Sequence, residues 1–415
     1  MAAVIFLHTF SAFGSLSGIS GSDSFMLGVQ QAVKFGTIGF FLISGFLMAE
    51  SLDRRPPLEY LKRRLRVVFA PWLLWFSAFL VLSLTGDVVH GRLRFGSFTS
   101  AAHFILNRLH GCLFDSAYWF VPNLIVALCV LLLCRRFLYD VRLGFALLAV
   151  SLIYGLDIHT QWFALPSHTE ALFGFVFYLW LGAWAARNFR TIEAWVSHIP
   201  MWNFVASIAM AGLIAIKEAE LLLAAGAPSP LSTLRISNQL YSVLVVLAIF
   251  KVRKVAWPKG LNVRASTFGL YLSHTIVLSL LLRVATRTFL MNLADEPWAN
   301  TRAIALCLGL GGFVITYGCS FALTHWLLER PSLGWVLGRL ATSRTRGFPG
   351  ATGPLCGPEP PEAIRLCKKA GPGLLISNRN TPSSRAEQAS LPPSVTIGRS
   401  ACRSDDKSLW PAGRI

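Results

Sequence analysis

Ten apolar runs set the limits of what this chain can fold into. They cover about 2–13, 33–52, 67–85, 117–134, 143–157, 168–186, 201–225, 236–250, 266–286 and 302–328. A membrane helix needs about 20 apolar residues to cross a hydrocarbon core of about 30 Å. Lipid offers no partner to a free backbone N–H or C=O, so each run must satisfy its hydrogen bonds within a helix. Composition agrees: 14% of the residues are charged and mean hydropathy is +0.55, whereas a soluble domain holds about a quarter charged residues. The expected fold is therefore all-α, a polytopic membrane helical bundle of about ten transmembrane helices. The fifth and eighth runs are short.

Charge orients the bundle. With ten spans, the loops at 53–66, 135–142, 187–200 and 251–265 share one face and hold 16 Lys and Arg residues. The loops of the opposite face, 14–32, 87–116, 158–167, 226–235 and 287–301, hold 5. Positive-inside bias puts the first face, and both termini, in the cytoplasm. The expected location is the cytoplasmic (inner) membrane. The start has no charged n-region and no small-residue cleavage site, so no cleavable signal is expected. The net charge of +18 is anchoring charge plus a basic tail, suited to contact with membrane lipids rather than nucleic acid.

The membrane domain is expected to span 1–340. The tail, 341–415, holds 10 of the 21 prolines and no apolar periodicity. Such a segment cannot bury enough surface to offset its ordering entropy, so it is expected to be disordered and is assigned no function. Eight cysteines occur without a CxxC pair, and no metal or redox site is expected.

Chemistry concentrates near the start. His8 follows an apolar run inside a helix, where ionisable residues are costly and commonly functional. A neutral imidazole there could take a proton from a hydroxyl or accept a group itself. The competing reading is a helix-end histidine facing interfacial water. The stretch from Gly39 to Trp75 reads GFFLISGFLMAESLDRRPPLEYLKRRLRVVFAPWLLW. It predicts an uncharged helix with a Ser44-Gly45-Phe46 turn in its middle. A short loop with Arg54, Arg55, Lys62, Arg63, Arg64 and Arg66 follows, and then a second span from Pro71. Guanidinium groups bind phosphate bidentately, so this cluster suits an anion. On residue type alone, positive-inside anchoring and lipid head-group contact are the more ordinary explanation. Gly45 allows close approach of a backbone or a ligand.

The pattern Phe40-Phe41-x-x-x-Gly45-Phe46, followed by Lys62-Arg63-Arg64-x-Arg66 and Pro71, resembles the acyltransferase-3 family of integral membrane sugar O-acyltransferases. Tyr118-Trp119-Phe120 is similar to that family's Trp-Phe pair. Gly269-Leu270-Tyr271-Leu272-Ser273-His274 is similar to its Tyr-Leu-x-His segment. Glu329-Arg330-Pro331 is similar to its terminal Glu-x-Pro. The resemblance covers about residues 1–335. It implies His8 as the catalytic residue, with Lys62, Arg63, Arg64 and Arg66 binding acyl-CoA as co-substrate and no cofactor resident. Phe40, Phe41, Gly45, Phe46, Trp119, His274 and Glu329 are implied as motif or cavity residues. The implied reaction moves an acyl group, usually acetyl, to a carbohydrate or lipid-linked glycan acceptor.

The resemblance also implies an arginine eleven positions before His8, ahead of Met1, so the first helix is expected to be N-terminally short. By residue type, Trp119 suits belt packing at the membrane interface. His274 suits an inter-helix hydrogen bond as well as a site, and Glu329 suits pairing with a loop arginine. Lys217, Glu218 and Glu220 suit pairing at i, i+3. His168, Glu170, Asp157 and His159 suit a solvated interface or an acceptor sugar. A transporter is the competing function, and an inactive family member another. A transporter calls for internal repeats, and none is visible between the two halves.

Overall fold

The computed structural model describes residues 1–16, 23–91, 98–165, 167–252, 263–286 and 302–338. The chain divides into Met1–Thr345 and Arg346–Ile415. The second unit lies outside the described residues, as does the tail expected to be disordered, 341–415. All regular structure among the described residues is helical. The elements, numbered here in chain order, are α1 (Ala2–Leu16), α2 (Ser24–Val33), α3 (Gly36–Arg54), α4 (Pro57–Arg64), α5 (Ala70–Val89), α6 (Phe98–Phe114) and α7 (Phe120–Leu133). They continue with α8 (Val141–Thr160), α9 (Val176–Arg187), α10 (Phe189–His198), α11 (Met201–Ala224), α12 (Ile236–Val252), α13 (Val263–Ala285) and α14 (Arg302–Glu329).

Among the described residues, five helical stretches are long and apolar enough to cross a membrane, or seven if two bent pairs each count as one span. The bent pairs are α6 with the stretch from Ala117 to Leu133, turning by 73°, and α10 with α11, turning by 93°. The expected count of ten is not reached by length and apolarity. The reason lies in short members: α1 and α12 have 15 and 17 residues, and α9 has 12. The run at 168–186 yields only α9, because residues 167–175 are irregular.

Two other expectations are corrected. The basic residues after α3 are not in a loop. Pro57 opens α4 at its first turn, Glu59 sits near the positive end of the helix dipole, and Lys62, Arg63 and Arg64 fill the last turn. That placement is favourable at each point. A π-turn, Leu65–Phe69, then joins α4 to α5, with the Ala70 N–H donating to the Leu65 carbonyl. Pro71, inside the continuous helix, supplies no N–H, and a π-turn is one way a helix absorbs that gap. Nor does a turn form at Ser44-Gly45-Phe46: α3 runs through it unbroken. Gly45 is instead the crossing point with α9. A Cβ at Gly45 would strike the Leu179 carbonyl, and one at Gly182 would strike the Leu42 carbonyl. Apolar side chains gain little by leaving lipid for another helix, so such backbone approach is a main source of association.

The two ends of the bundle are tied differently. At the basic end, Arg135 donates to the Asp53 carbonyl at 2.6 Å, Tyr139 donates to the Asp53 carboxylate at 2.9 Å, and Lys251 reaches the Val196 carbonyl at 2.8 Å. At the far end, Asp23 caps α2 by accepting from the Phe25 and Met26 N–H groups and pairs with Arg302 at 2.8 Å. Lys217 pairs with Glu220 at 2.6 Å, the expected i, i+3 spacing, and α11 continues past them to Ala224.

Candidate active site

His8 is placed by the packing of α1. Phe10 lies over Gly309 and Phe13 over Gly312 on α14. Phe6 stacks on Phe10 and meets Phe313 edge-on, both with ring centroids 5.5 Å apart. Large rings set into glycine gaps fix the rotation of α1, with Ile5, Thr9 and Phe10 fully buried. His8 is then half-buried, and its ring centroid lies 5.7 Å from that of His274 on α13.

His274 is fully buried. Its Nδ1 lies 2.7 Å from the Tyr271 carbonyl and 3.1 Å from the Leu270 carbonyl. A carbonyl only accepts, so Nδ1 carries the hydrogen and Nε2 the lone pair. Nε2 is buried and has no hydrogen-bond partner among the described residues. The neighbouring tyrosines hold α13 in place. Tyr271 donates to the Ala117 carbonyl at 2.7 Å, and Tyr118 donates back to the Leu272 carbonyl at 2.8 Å. The segments Tyr118-Trp119-Phe120 and Gly269 to His274 therefore meet each other, and the second also meets His8, although all are far apart in sequence.

Trp119 is buried at 7% exposure, not lined up in an interfacial belt. Its ring meets His168 at 5.6 Å and 90°. The bend between α6 and α7, capped by Ser116, turns the indole inward. Phe41 is fully buried, stacked on Phe175 at 4.7 Å and close to Phe120 at 4.8 Å. Phe40 meets Phe120 at 6.0 Å, while Phe46 is 36% exposed against Phe189. These three rings thus build helix packing around Gly45. Glu329 is exposed on the last turn of α14 and pairs with His325 on its own helix at 3.1 Å rather than with a loop arginine.

A second feature lies at the basic end. A cavity of about 280 Å³ is lined by Ser51, Arg55, Tyr60, Arg63, Arg64, Val67 and Gly338. Arg64 donates from Nε to the Tyr60 hydroxyl at 2.9 Å and lies over that ring. Gly338 adopts φ +75, and a Cβ there would strike the Val67 carbonyl, so the wall needs glycine. Among the described residues no carboxylate lines the cavity, and three guanidiniums do. Of the four basic residues expected to bind acyl-CoA, Arg63 and Arg64 line it. Lys62 and Arg66 are exposed beside it. Tyr60 was not singled out by sequence. Its position four residues before Arg64 on one helix face was the available signal.

Sequence reasoning also passed over a buried polar network at the far end. Arg235, 1% exposed, donates to the Ala215 carbonyl at 2.5 Å, the Gln31 side chain at 3.1 Å and the Ser232 carbonyl at 3.2 Å. Glu218 lies 3.8 Å away and accepts from His159 at 2.7 Å. Gln31 donates to Asn238 at 2.8 Å, and buried Lys34 donates to the Leu231 carbonyl. Lys34 and Arg235 are within electrostatic reach of His168, and so is His8. The signal was Lys34 itself, a cation at the head of the apolar run 33–52. Asp157 is buried, and its carboxylate accepts from the Phe163 and Leu165 N–H groups at 2.8 and 2.7 Å. It anchors the irregular segment instead of facing solvent. Glu170 pairs with His110 at 3.2 Å.

A partly buried imidazole, beside a second one with a fixed lone pair, can accept a proton or an acyl group. A pocket of three guanidiniums at the basic end can hold phosphate. No curated protein and no solved structure matches the chain. A family model does: the acyltransferase domain of the acyltransferase-3 type matches residues 1–325. With that match covering most of its length, the chain belongs to the acyltransferase-3 family, as a membrane-embedded acyltransferase.

Proposed function

We propose that the protein moves an acyl group, most simply acetyl, from acyl-CoA to a hydroxyl of a cell-surface polysaccharide or glycolipid sugar. The observation that carries the reading is the half-buried His8 imidazole set among apolar helices beside His274. The acceptor hydroxyl attacks the thioester carbonyl while His8 takes its proton. The C–O bond forms, the C–S bond breaks, and the proton passes to the departing CoA thiolate. General-base assistance of this kind is worth about 10²–10⁴ in rate.

The arginine-lined cavity supports the choice of donor. The phosphates of CoA match Arg55, Arg63 and Arg64, because guanidiniums pair with phosphate oxygens in a fixed two-point geometry. Positive-inside bias puts that end in the cytoplasm, where acyl-CoA is made. The orientation, the inner-membrane location and the contact with membrane lipids follow from the same bias. The test is binding of acetyl-CoA to the detergent-solubilised protein. Saturable binding that is lost in the Arg63→Gln/Arg64→Gln double variant supports the reading. Absence of binding in the unaltered protein removes it and favours a transporter.

A further inference from the structure

His274 presents a buried lone pair that the proposed reaction does not use. We infer that His274 is a positioning residue for His8: its Nε2 accepts the N–H of the His8 ring, directly or through one water, and so fixes the tautomer that leaves the other His8 nitrogen free to take a proton. The inference rests on the proposed acyl transfer for its role in catalysis, but its geometry stands apart from it.

Four observations lead there. Nδ1 of His274 is committed to the carbonyls of its own helix, so Nε2, on the far side of the ring, faces away from the α13 backbone. His8 packs against this ring, at 5.7 Å between centroids and tilted by 45°. Nε2 is buried without a partner among the described residues, an unmatched acceptor that a His8 donor would satisfy. Finally, the reciprocal bonds of Tyr271 and Tyr118 pin α13 just ahead of His274, which fixes the position of the acceptor. A histidine whose one nitrogen donates to a fixed acceptor is held in a single tautomer, and its other nitrogen becomes the better base.

The experiment separates the two nitrogens of His274. In His274→Asn the amide can still bond the α13 carbonyls but has nothing at the Nε2 position. In His274→Gln the amide oxygen reaches the Nε2 position. His274→Leu removes both. The first readout needs no substrate: the rate at which diethyl pyrocarbonate modifies His8, followed by peptide mass spectrometry on the folded protein. The expected result is a loss of about tenfold in His8 reactivity in the Asn and Leu variants and recovery to within about threefold of wild type in Gln, the size of second-sphere effects on histidine. The second readout is acyl transfer, where kcat falls in the same pattern while KM for acetyl-CoA holds.

A role confined to helix packing predicts the reverse, with Asn retained and Gln lost. That outcome overturns the inference, as does unchanged His8 reactivity in all three variants. Loss of acyl transfer in wild type itself, with the reactivity pattern intact, would remove the proposed function and leave this assignment standing.

Discussion

The crossing of α3 and α9 gives a prediction that can be sized from the structure. Gly45→Ala adds one methyl group, which would overlap the Leu179 carbonyl and crowd the Ala183 N at 3.0 Å. Both are backbone atoms of a helix, so neither can swing aside as a flexible side chain would. The helices must separate by some tenths of an ångström. That loosens Phe41 against Phe175 and the surrounding core of Leu42, Leu179 and Trp180. Overpacking costs about 1–3 kcal/mol. The upper end applies here because rigid backbone is struck and because Gly182 meets the Leu42 carbonyl in the same way. A loss of about 3 kcal/mol corresponds to a fall in melting temperature of roughly 5 °C for a domain of this size.

The control is Gly318→Ala on α14, where an added Cβ meets nothing within 4 Å. There the better helix propensity of alanine makes the change neutral or slightly stabilising, by up to about 1 kcal/mol. Thermal melting of the detergent-solubilised variants, followed by size-exclusion chromatography, reads the difference. If Gly45→Ala melts together with Gly318→Ala and the unaltered protein, the close backbone crossing is not what holds α3 to α9, and the reasoning fails.

Arg64→Gln should weaken acetyl-CoA binding by about tenfold or more through loss of a charge-assisted contact, whereas Lys62→Gln, outside the cavity lining, should change it by no more than about threefold; titration calorimetry of the two compares them. Asp157→Ala leaves the Phe163 and Leu165 N–H groups without their acceptor and should cost roughly 2–4 kcal/mol, seen as a lower melting temperature and faster proteolysis in 161–175. The Asp23 carboxyl is held below its ordinary range, first by its hydrogen bond to Arg302 and then by the Met26 and Phe25 N–H groups, against a partly opposing desolvation. A depressed pKa gives stability that is present above the unfolded value, near 4, and lost as pH falls through the folded value. Melting measured from pH 6 down to the acid limit should therefore drop less steeply in Asp23→Asn than in the unaltered protein.

Much of this was legible because membrane sequences leave few ambiguities. An apolar run must be helical, and His8 and the arginine cluster stand out against it. The local form of the cluster was less legible. Arg55-Pro56-Pro57 reads as a loop, yet Pro57 is the first residue of α4, where a missing N–H costs nothing. That short helix decides which cations face the cavity. The meeting of His8 with His274 was out of reach, since it depends on Phe10 and Phe13 seating in the gaps at Gly309 and Gly312. Period alone shows neither partner nor rotation. Trp119 has the composition of a belt residue, and only the bend before α7 turns it against His168. Arg235 enters the sequence only as one of the five cations of the opposite-face loops, because its partners Gln31, Ala215 and Glu218 come from two other helices.

The most direct test of the account compares surface glycans from cells that carry the gene, lack it, or carry His8→Ala, with protein levels matched. Mass spectrometry then looks for sugar residues bearing an added acetyl group. The account predicts acetylated glycan only in the cells with the unaltered protein, and the modified sugar identifies the acceptor. Acetylation that persists undiminished in the His8→Ala cells would contradict the placement of the reaction at His8.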